Sequence, residues 1–287
     1  MACPKGCAVL GGLRRCSLSQ GTYLASSLRL ASHPKTAQRD PRALCEQALA
    51  ILLWRRQAWP QRSQWISLAV VAIGVVVGFP LLTALALQHV TSAHSIVFIG
   101  LLPLSTAIFG VLRGGERPRP AFWVFSLIGS ALVAGFALRE GVSAAPLGDT
   151  FMLLAIALCG LGYAEGGRLA RSLGGWQVIS WALVLSLPLM IAAVLWFWPD
   201  HPLQDVSGPG WLALGYVALF SMFLGFVFWY RGLAQGGIAA VGQLQLLQPF
   251  FGLALAASLL DEAVSAAMLV VTIAVVLCVA GAKKFAS

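Results

Sequence analysis

The chain has 287 residues, of which 59% are apolar and only 10% carry a charge, and its mean hydropathy is +0.84. A soluble domain has about 25% charged residues, so this composition excludes a protein with a fully water-covered surface. The formal net charge of +9 lies in the gaps between apolar runs rather than along one face, which argues against nucleic acid as a partner and makes the lipid bilayer the expected partner.

Eight apolar runs are long enough, or nearly so, to cross the hydrocarbon layer of a membrane, which takes about 20 residues. Backbone polar groups in lipid must be satisfied within their own segment, so the runs are predicted to be helices and the fold class an all-α polytopic membrane protein. In chain order they are 65–87, 93–112, 121–138, 151–169, 178–198, 211–230, 238–260 and 264–281. A shorter run, 43–54, resembles the end of a further helix.

The connections between these runs alternate in charge. One set, with the C-terminus, carries eleven basic residues: Arg55, Arg56, Arg62, Arg113, Arg117, Arg119, Arg168, Arg171, Arg231, Lys283 and Lys284. The other set carries one basic residue, Arg139, and the six acidic residues Glu140, Asp149, Asp200, Asp205, Asp261 and Glu262. Loops rich in Lys and Arg stay on the cytoplasmic side, so the first set and the C-terminus are predicted to be cytoplasmic.

A repeated unit divides the chain into two halves. Pro103 and Glu116 bracket the second part of one apolar run, and Pro249 and Glu262 bracket another at the same spacing, 146 residues later. We therefore predict a first, incomplete repeat over 43–140 and a second, complete repeat over 149–284. Five helices per repeat reverse the orientation of the second copy, which gives the inverted five-plus-five arrangement of secondary transporters.

The first helix pair of the first repeat is missing or degenerate. Residues 1–42 contain seven Lys and Arg, one acidic residue and no apolar run of spanning length. Three interpretations remain open: a basic targeting presequence, a cytoplasmic extension, or a frame-shifted segment that kept its length and lost its composition.

Polar residues beside a helix kink are the candidate substrate-binding site. Pro249 removes a backbone hydrogen bond from its helix, and Gln245 and Gln248, three residues apart, share the same face just before it. The alternative role for these amides is to bond a neighbouring helix, which is what we expect of Gln243.

The remaining candidates for the binding site are chosen by symmetry and by their aromatic character. Phe250 and Trp229 are predicted to shape its walls. Pro103 is the counterpart of Pro249, but Leu102 stands where the second half has Gln248, so the polar site is predicted to belong mainly to the second half.

Glu165 is the one acidic residue well inside an apolar run. Acidic residues within membranes often relay protons. Arg168 lies three residues further on, so an interfacial ion pair is the alternative role. Glu116 and Glu262 lie at loop positions, where helix capping or a loop hydrogen bond is expected.

The sequence lacks the motifs of common catalytic and cofactor sites. It contains no G-x-x-x-x-G-K-[ST], no H-E-x-x-H and no G-x-S-x-G. Its six cysteines form no C-x-x-C pair. We therefore predict no enzyme, no catalytic residue, no metal site and no cofactor.

Two segments resemble the signature helices of EamA-like proteins of the drug/metabolite transporter superfamily. They are SAHSIVFIGLLPLSTAIFGVLRGGERP and AAVGQLQLLQPFFGLALAASLLDEAVS, in which a central proline is followed by a glutamate that opens the next loop. The resemblance covers 43–287. It implies ten helices, a bacterial inner (plasma) membrane, and export or uptake of small metabolites by exchange or proton coupling.

The sequence thus predicts a secondary transporter of a small polar or amphipathic metabolite, with one repeat rocking against the other. The family's first helix helps to line the central cavity, and residues 1–42 depart from that pattern. The alternative is therefore a non-transporting membrane protein, degenerate or acting as a scaffold. The sequence leaves the oligomeric state open, with a homodimer among the alternatives.

Overall fold

The structure, a computed structural model, describes residues 59–90, 95, 98–138, 145–196, 215–248, 250–251 and 266–286. All regular secondary structure in these ranges is helical, which agrees with the predicted all-α class. Residues 1–42, the run 43–54, Pro249 and Glu262 lie outside the described ranges.

The described helices follow the predicted apolar runs in chain order. They are α1 (Gln64–Ala86), α2 (Leu102–Gly114), α3 (Pro120–Leu138), α4 (Pro146–Leu173), α5 (Gly175–Trp196), α6 (Gly225–Gly236), α7 (Ile238–Leu247) and α8 (Ala266–Lys284). Three segments, namely α1, α4 and Gly175–Ala192 of α5, are long and apolar enough to cross a membrane among the described residues.

α4 extends beyond the predicted run at both ends. The run covered 151–169, whereas the helix is Pro146–Leu173. Proline is favourable in the first turn of a helix because its missing N–H would be unpaired there, and Asp149 in the same turn interacts favourably with the positive end of the helix dipole. A prediction from apolar residues alone finds the part of a helix that lies in lipid, and it does not find polar turns at the helix ends.

Two π-helical stretches widen the apolar helices at related positions. Ala72–Gly78 lies within α1, and Val217–Leu224 leads directly into α6. The two Pro–Glu units are 146 residues apart. Shifted by the same 146 residues, the first stretch covers 218–224, which differs from the second stretch by one residue at its start. At the same offset residues 120–138 of α3 correspond to residues 266–284 of α8, and both ranges are helical. The sequence repeat is thus accompanied by a repeat of local backbone structure, whereas the inverted orientation of the two halves stays a prediction.

Several contacts gather the helix ends at one end of the bundle, here called the basic end. It is where α1, α3, α5 and α7 begin and α2, α4, α6 and α8 end. The Arg119 N–H before α3 donates to the Phe285 carbonyl after α8, at 3.0 Å. The rings of Trp65 in α1 and Trp181 in α5 pack edge to face, 5.8 Å apart.

α4 lies at the centre and packs against α1, α2, α5 and α6. Its contact with α6 depends on Gly166, because a Cβ atom there would lie 2.1 Å from the Tyr230 ring. Tyr230 is fully buried, in an apolar cluster that includes Leu68 of α1 and Ile179 of α5. Close helix approach through a small residue is typical of packing in membranes, where dispersion contacts replace the hydrophobic driving force.

Candidate functional site

The backbone of α7 tightens immediately before its proline. Gln243–Leu247 forms a 3₁₀ helix, in which residues three apart eclipse one another. Gln245 and Gln248 therefore share a face, as the sequence predicts. An i to i−3 bond also precedes the proline of the first half, since the Leu101 N–H donates to the Phe98 carbonyl at 2.8 Å.

Gln245 presents an unused acceptor within the described part of the chain. Its Oε1 atom is buried and has no hydrogen-bond partner there. Leaving a buried polar group unpaired costs about 1–3 kcal/mol. The side chain of Gln248 is exposed. This face of α7 thus carries a buried amide oxygen next to an exposed amide side chain.

Gln243 connects α7 to α2, in agreement with the neighbour contact predicted for it. It is fully buried, and its Nε2 atom donates to the Pro103 carbonyl at 3.5 Å. Pro103 is itself buried in the first turn of α2. Within the described residues, Pro103 therefore contributes a carbonyl oxygen to a helix–helix contact.

Trp229 and Phe250 belong to different apolar clusters. The Trp229 ring packs edge to face on Tyr163 of α4, 5.6 Å between ring centres, and its Nε1 atom is buried with no partner among the described residues. Phe250 is buried with Val133 of α3 and Val275 of α8. The structure therefore does not combine the two predicted aromatic residues into one wall, because Phe250 faces the α3–α8 pair.

Glu165 forms ion pairs with two arginines, one more than its local sequence indicates. Its side chain is 1% exposed. Arg168 donates to Oε2 at 2.7 Å, and Arg113 of α2 donates through Nε to Oε1. Arg168 also donates to the Ser67 hydroxyl of α1 at 2.8 Å. Sequence reasoning found Arg168 from its i+3 spacing and missed Arg113, which is 52 residues away.

Glu116 caps the start of α7 at the same end of the bundle. Its two carboxylate oxygens accept the backbone N–H groups of Ile238 and Ala239, at 2.6 and 2.7 Å. These N–H groups have no partner within the helix, and they form the positive end of the helix dipole. Arg171 of α4 donates to the same carboxylate at 3.0 Å. The contacts fit the capping role expected from the loop position.

The turn after α2 aims Glu116 towards α7. Gly115 has a φ of +69°, a left-handed conformation that glycine adopts at little cost. The Glu116 N–H then donates back to the Gly110 carbonyl at 3.3 Å. This turn ends the helix and sends the glutamate side chain across the bundle. Among the described residues no group of three His, Cys, Asp or Glu side chains gathers where a metal ion could bind.

Comparisons with known proteins identify the family. The EamA-like transporter family matches residues 47–137 and again 146–282. The uncharacterized transporter YdeK of Bacillus subtilis (strain 168) is 61% identical over 274 residues, covering 93% of this chain and 95% of that protein. An uncharacterized transporter of Archaeoglobus fulgidus is 24% identical over 206 residues, or 71% of each chain.

A solved structure supports the fold. The chain superposes on one crystal structure, described only as that of a protein, with a TM-score of 0.71 at 22% identity, covering 93% of this chain and 98% of that one. A likeness at this identity concerns the fold alone. The two family matches span well over half of the sequence, and the chain belongs to the EamA-like transporter family.

Proposed function

We propose that this membrane protein is a secondary transporter that moves a small polar or amphipathic metabolite by alternating access. Family membership supports transport as the class of function. The buried Oε1 atom of Gln245, which has no partner among the residues that the structure describes, supports a polar solute, because a donor group on the solute would satisfy that oxygen.

The proposed binding surface is the kinked face of α7 with its neighbours. Gln245 supplies the buried acceptor, and Gln248 on the same face supplies a second amide. Pro249 lacks a backbone N–H group, and we expect it to interrupt the hydrogen bonding of the helix next to these amides. Trp229 supplies an indole N–H, whereas Phe250 supports the site from behind through its packing on α3 and α8.

The membrane orientation follows from the charges. The basic end is proposed to face the cytoplasm of a bacterial cell across the inner (plasma) membrane, with the C-terminus on that side. Glu165 and Arg168 lie near this end and are proposed as an ion-pair site, with proton coupling as the alternative. The direction of transport is left open, and the proposal includes no enzymatic reaction, cofactor or metal.

Ligand screening followed by paired substitutions tests this function. A metabolite screen by thermal shift on purified protein should give a ligand that raises the unfolding temperature, since it binds only the folded state. Gln245→Leu with Gln248→Leu is then expected to abolish uptake of that ligand into proteoliposomes while leaving folded protein in the membrane.

Gln235→Leu is the matched control, because Gln235 is an exposed residue at the end of α6. It makes the same chemical change away from the kink and should leave uptake unaltered. Unchanged uptake in the Gln245/Gln248 variant would remove these residues from the site. If a broad screen and direct flux assays show no transported ligand, the result would favour the alternative of a non-transporting membrane protein.

A further inference from the structure

Two ion pairs cross between α2 and α4 at the basic end. Arg113, near the end of α2, contacts Glu165 on α4, and Arg171 on α4 contacts Glu116 just after α2. Each helix region thus supplies one arginine and one carboxylate, and each pair joins the two halves of the sequence. The Arg113, Arg168 and Arg171 side chains are 49%, 44% and 42% exposed, whereas those of Glu165 and Glu116 are 1% and 14% exposed.

Glu165 keeps a partner on its own helix if Arg113 leaves. Arg168 contacts the other carboxylate oxygen, and Arg168 is in turn held by the Ser67 hydroxyl. Removing a partner from a buried ion pair is costly mainly because it leaves an uncompensated charge. Arg168 prevents that outcome, so the contact between Arg113 and Glu165 can open at low cost.

Glu116 likewise keeps a partner if Arg171 leaves. Its two oxygens hold the backbone N–H groups of Ile238 and Ala239. Those donors are fixed in the first turn of α7 and cannot turn away unless the helix unwinds. The guanidinium of Arg171, in contrast, ends a flexible side chain and can turn into water.

We propose that the crossed pairs Arg113–Glu165 and Arg171–Glu116 are a reversible latch that holds the basic end of the bundle closed. The inference rests on the proposed transport cycle, in which this end must open to one side of the membrane. Both arginines release their crossing carboxylates during opening, and both carboxylates remain paired throughout. Arg113 and Arg171 are therefore positioning residues of the transport cycle and do not touch the solute.

The contacts also define which helices separate. α7 stays with α2, because Glu116 caps α7 and Gln243 bonds to the Pro103 carbonyl. α4 stays with α1 through Arg168 and Ser67. Since α7 and α2 come from different halves of the sequence, the moving unit mixes helices of both repeats, which refines the simple rocking of one repeat against the other.

A hydrogen bond at the start of α2 provides a pivot. The Ser105 hydroxyl of α2 donates to the Ile156 carbonyl of α4 at 3.1 Å. Eight residues of helix separate Ser105 from Arg113, a distance of about 12 Å. A small rotation about Ser105 therefore moves the latch end of α2 without breaking the Ser105–Ile156 contact.

Spin labels at exposed positions on the two helices test the latch directly. Leu112 on α2 is 68% exposed, and Ser172 near the end of α4 is exposed. Leu112→Cys and Ser172→Cys, in a background with the six native cysteines replaced, allow the distance between labels to be measured by pulsed electron spin resonance. The full-length protein is used in lipid nanodiscs, and no solute is needed.

Arg113→Gln with Arg171→Gln is expected to raise the ratio of the longer-distance population to the shorter-distance population by about tenfold. Each arginine is about half exposed, and a pair with such a screened partner contributes up to about a fivefold bias. The matched control, Arg117→Gln with Arg231→Gln, removes two exposed charges from the same end of the bundle. It should leave the distance distribution unchanged.

An unchanged distribution in the latch variant would overturn the proposal, and so would an equal shift in the control pair. If the double variant does not fold, each single variant is expected to give part of the shift, and no shift in either overturns the proposal. The distance measurement needs no solute. If the latch variant opens but the protein transports nothing, the result would contradict the proposed function and would still support the latch.

Discussion

At the scale of single residues, Glu116 joins the end of one helix to the start of another. Its backbone N–H closes the turn after α2, and its carboxylate accepts two N–H groups of α7. Charge-assisted bonds of this kind are about twice as strong as neutral ones. One side chain therefore fixes the relative position of two helices that are more than a hundred residues apart in sequence.

Replacing Glu116 tests this role. Glu116→Ala is expected to lower the free energy of unfolding by about 1–2 kcal/mol, the usual cost of losing a helix cap. Glu116→Gln keeps one acceptor oxygen and should lie between Glu116→Ala and the unmodified protein. Thermal unfolding in detergent is the measurement, with Arg117→Ala in the same loop as the control. Equal unfolding temperatures for Glu116→Ala and Arg117→Ala would contradict the capping role.

The sequence is sufficient to predict local partners but not distant ones. The Glu165–Arg168 pair follows from the three-residue spacing on a helix, and a structural role for Glu116 follows from its position after a helix. The contact from Arg113 to Glu165 depends on how two helices pack, and the sequence of one chain does not reveal that packing. The same holds for Phe250, whose cluster combines residues from three separate helices.

At the scale of elements, the positions of the helices are predictable and their internal geometry is not. About 20 apolar residues identify a spanning helix because lipid forces the backbone to bond within the segment. The sequences of Ala72–Gly78 and Val217–Leu224 contain no signal that predicts a π turn. The reason is that the packing around a helix decides which of the neighbouring carbonyl groups accepts each backbone hydrogen bond.

Helix packing around α4 predicts a specific sensitivity at Gly166. Gly166→Ala would place a methyl group against the buried Tyr230 ring, and overpacking of this kind costs about 1–3 kcal/mol. The unfolding temperature in detergent should fall accordingly. Gly135→Ala in α3 is the control, because a Cβ atom there meets nothing within 4 Å and alanine favours the helix. A lower unfolding temperature for Gly135→Ala than for Gly166→Ala would refute this account of the packing.

At the scale of the whole molecule, the charges predict the orientation of the bundle in the membrane. The described helices alternate in direction, so that helix starts and helix ends meet at the basic end. That end carries the loop of Arg117 and Arg119 and the terminal Lys283 and Lys284. The contacts place these loops at one end of the bundle, and because basic residues are retained on the cytoplasmic side, we expect this end to face the cytoplasm.

Single-cysteine labelling tests this orientation. In a cysteine-free background, an impermeant thiol reagent on intact cells should label Leu203→Cys and leave Arg117→Cys protected, because three spans lie between them. Permeabilised cells are the control, in which both positions should react. The reverse pattern on intact cells would invert the orientation, and labelling of both positions would contradict three spans between them.

The pairing of α3 with α8 has a consequence for how such a molecule is assembled. These two helices occupy corresponding positions at the offset of the repeat. They pack against each other where Phe125 meets Gly281 and where Gly129 meets Cys278. Each helix covers the face of its own counterpart, as identical subunits do in a two-fold dimer. A single repeat produced without the other would expose this helix face until a second copy packed against it. The two halves therefore depend on each other for burial in the way that the subunits of a dimer do.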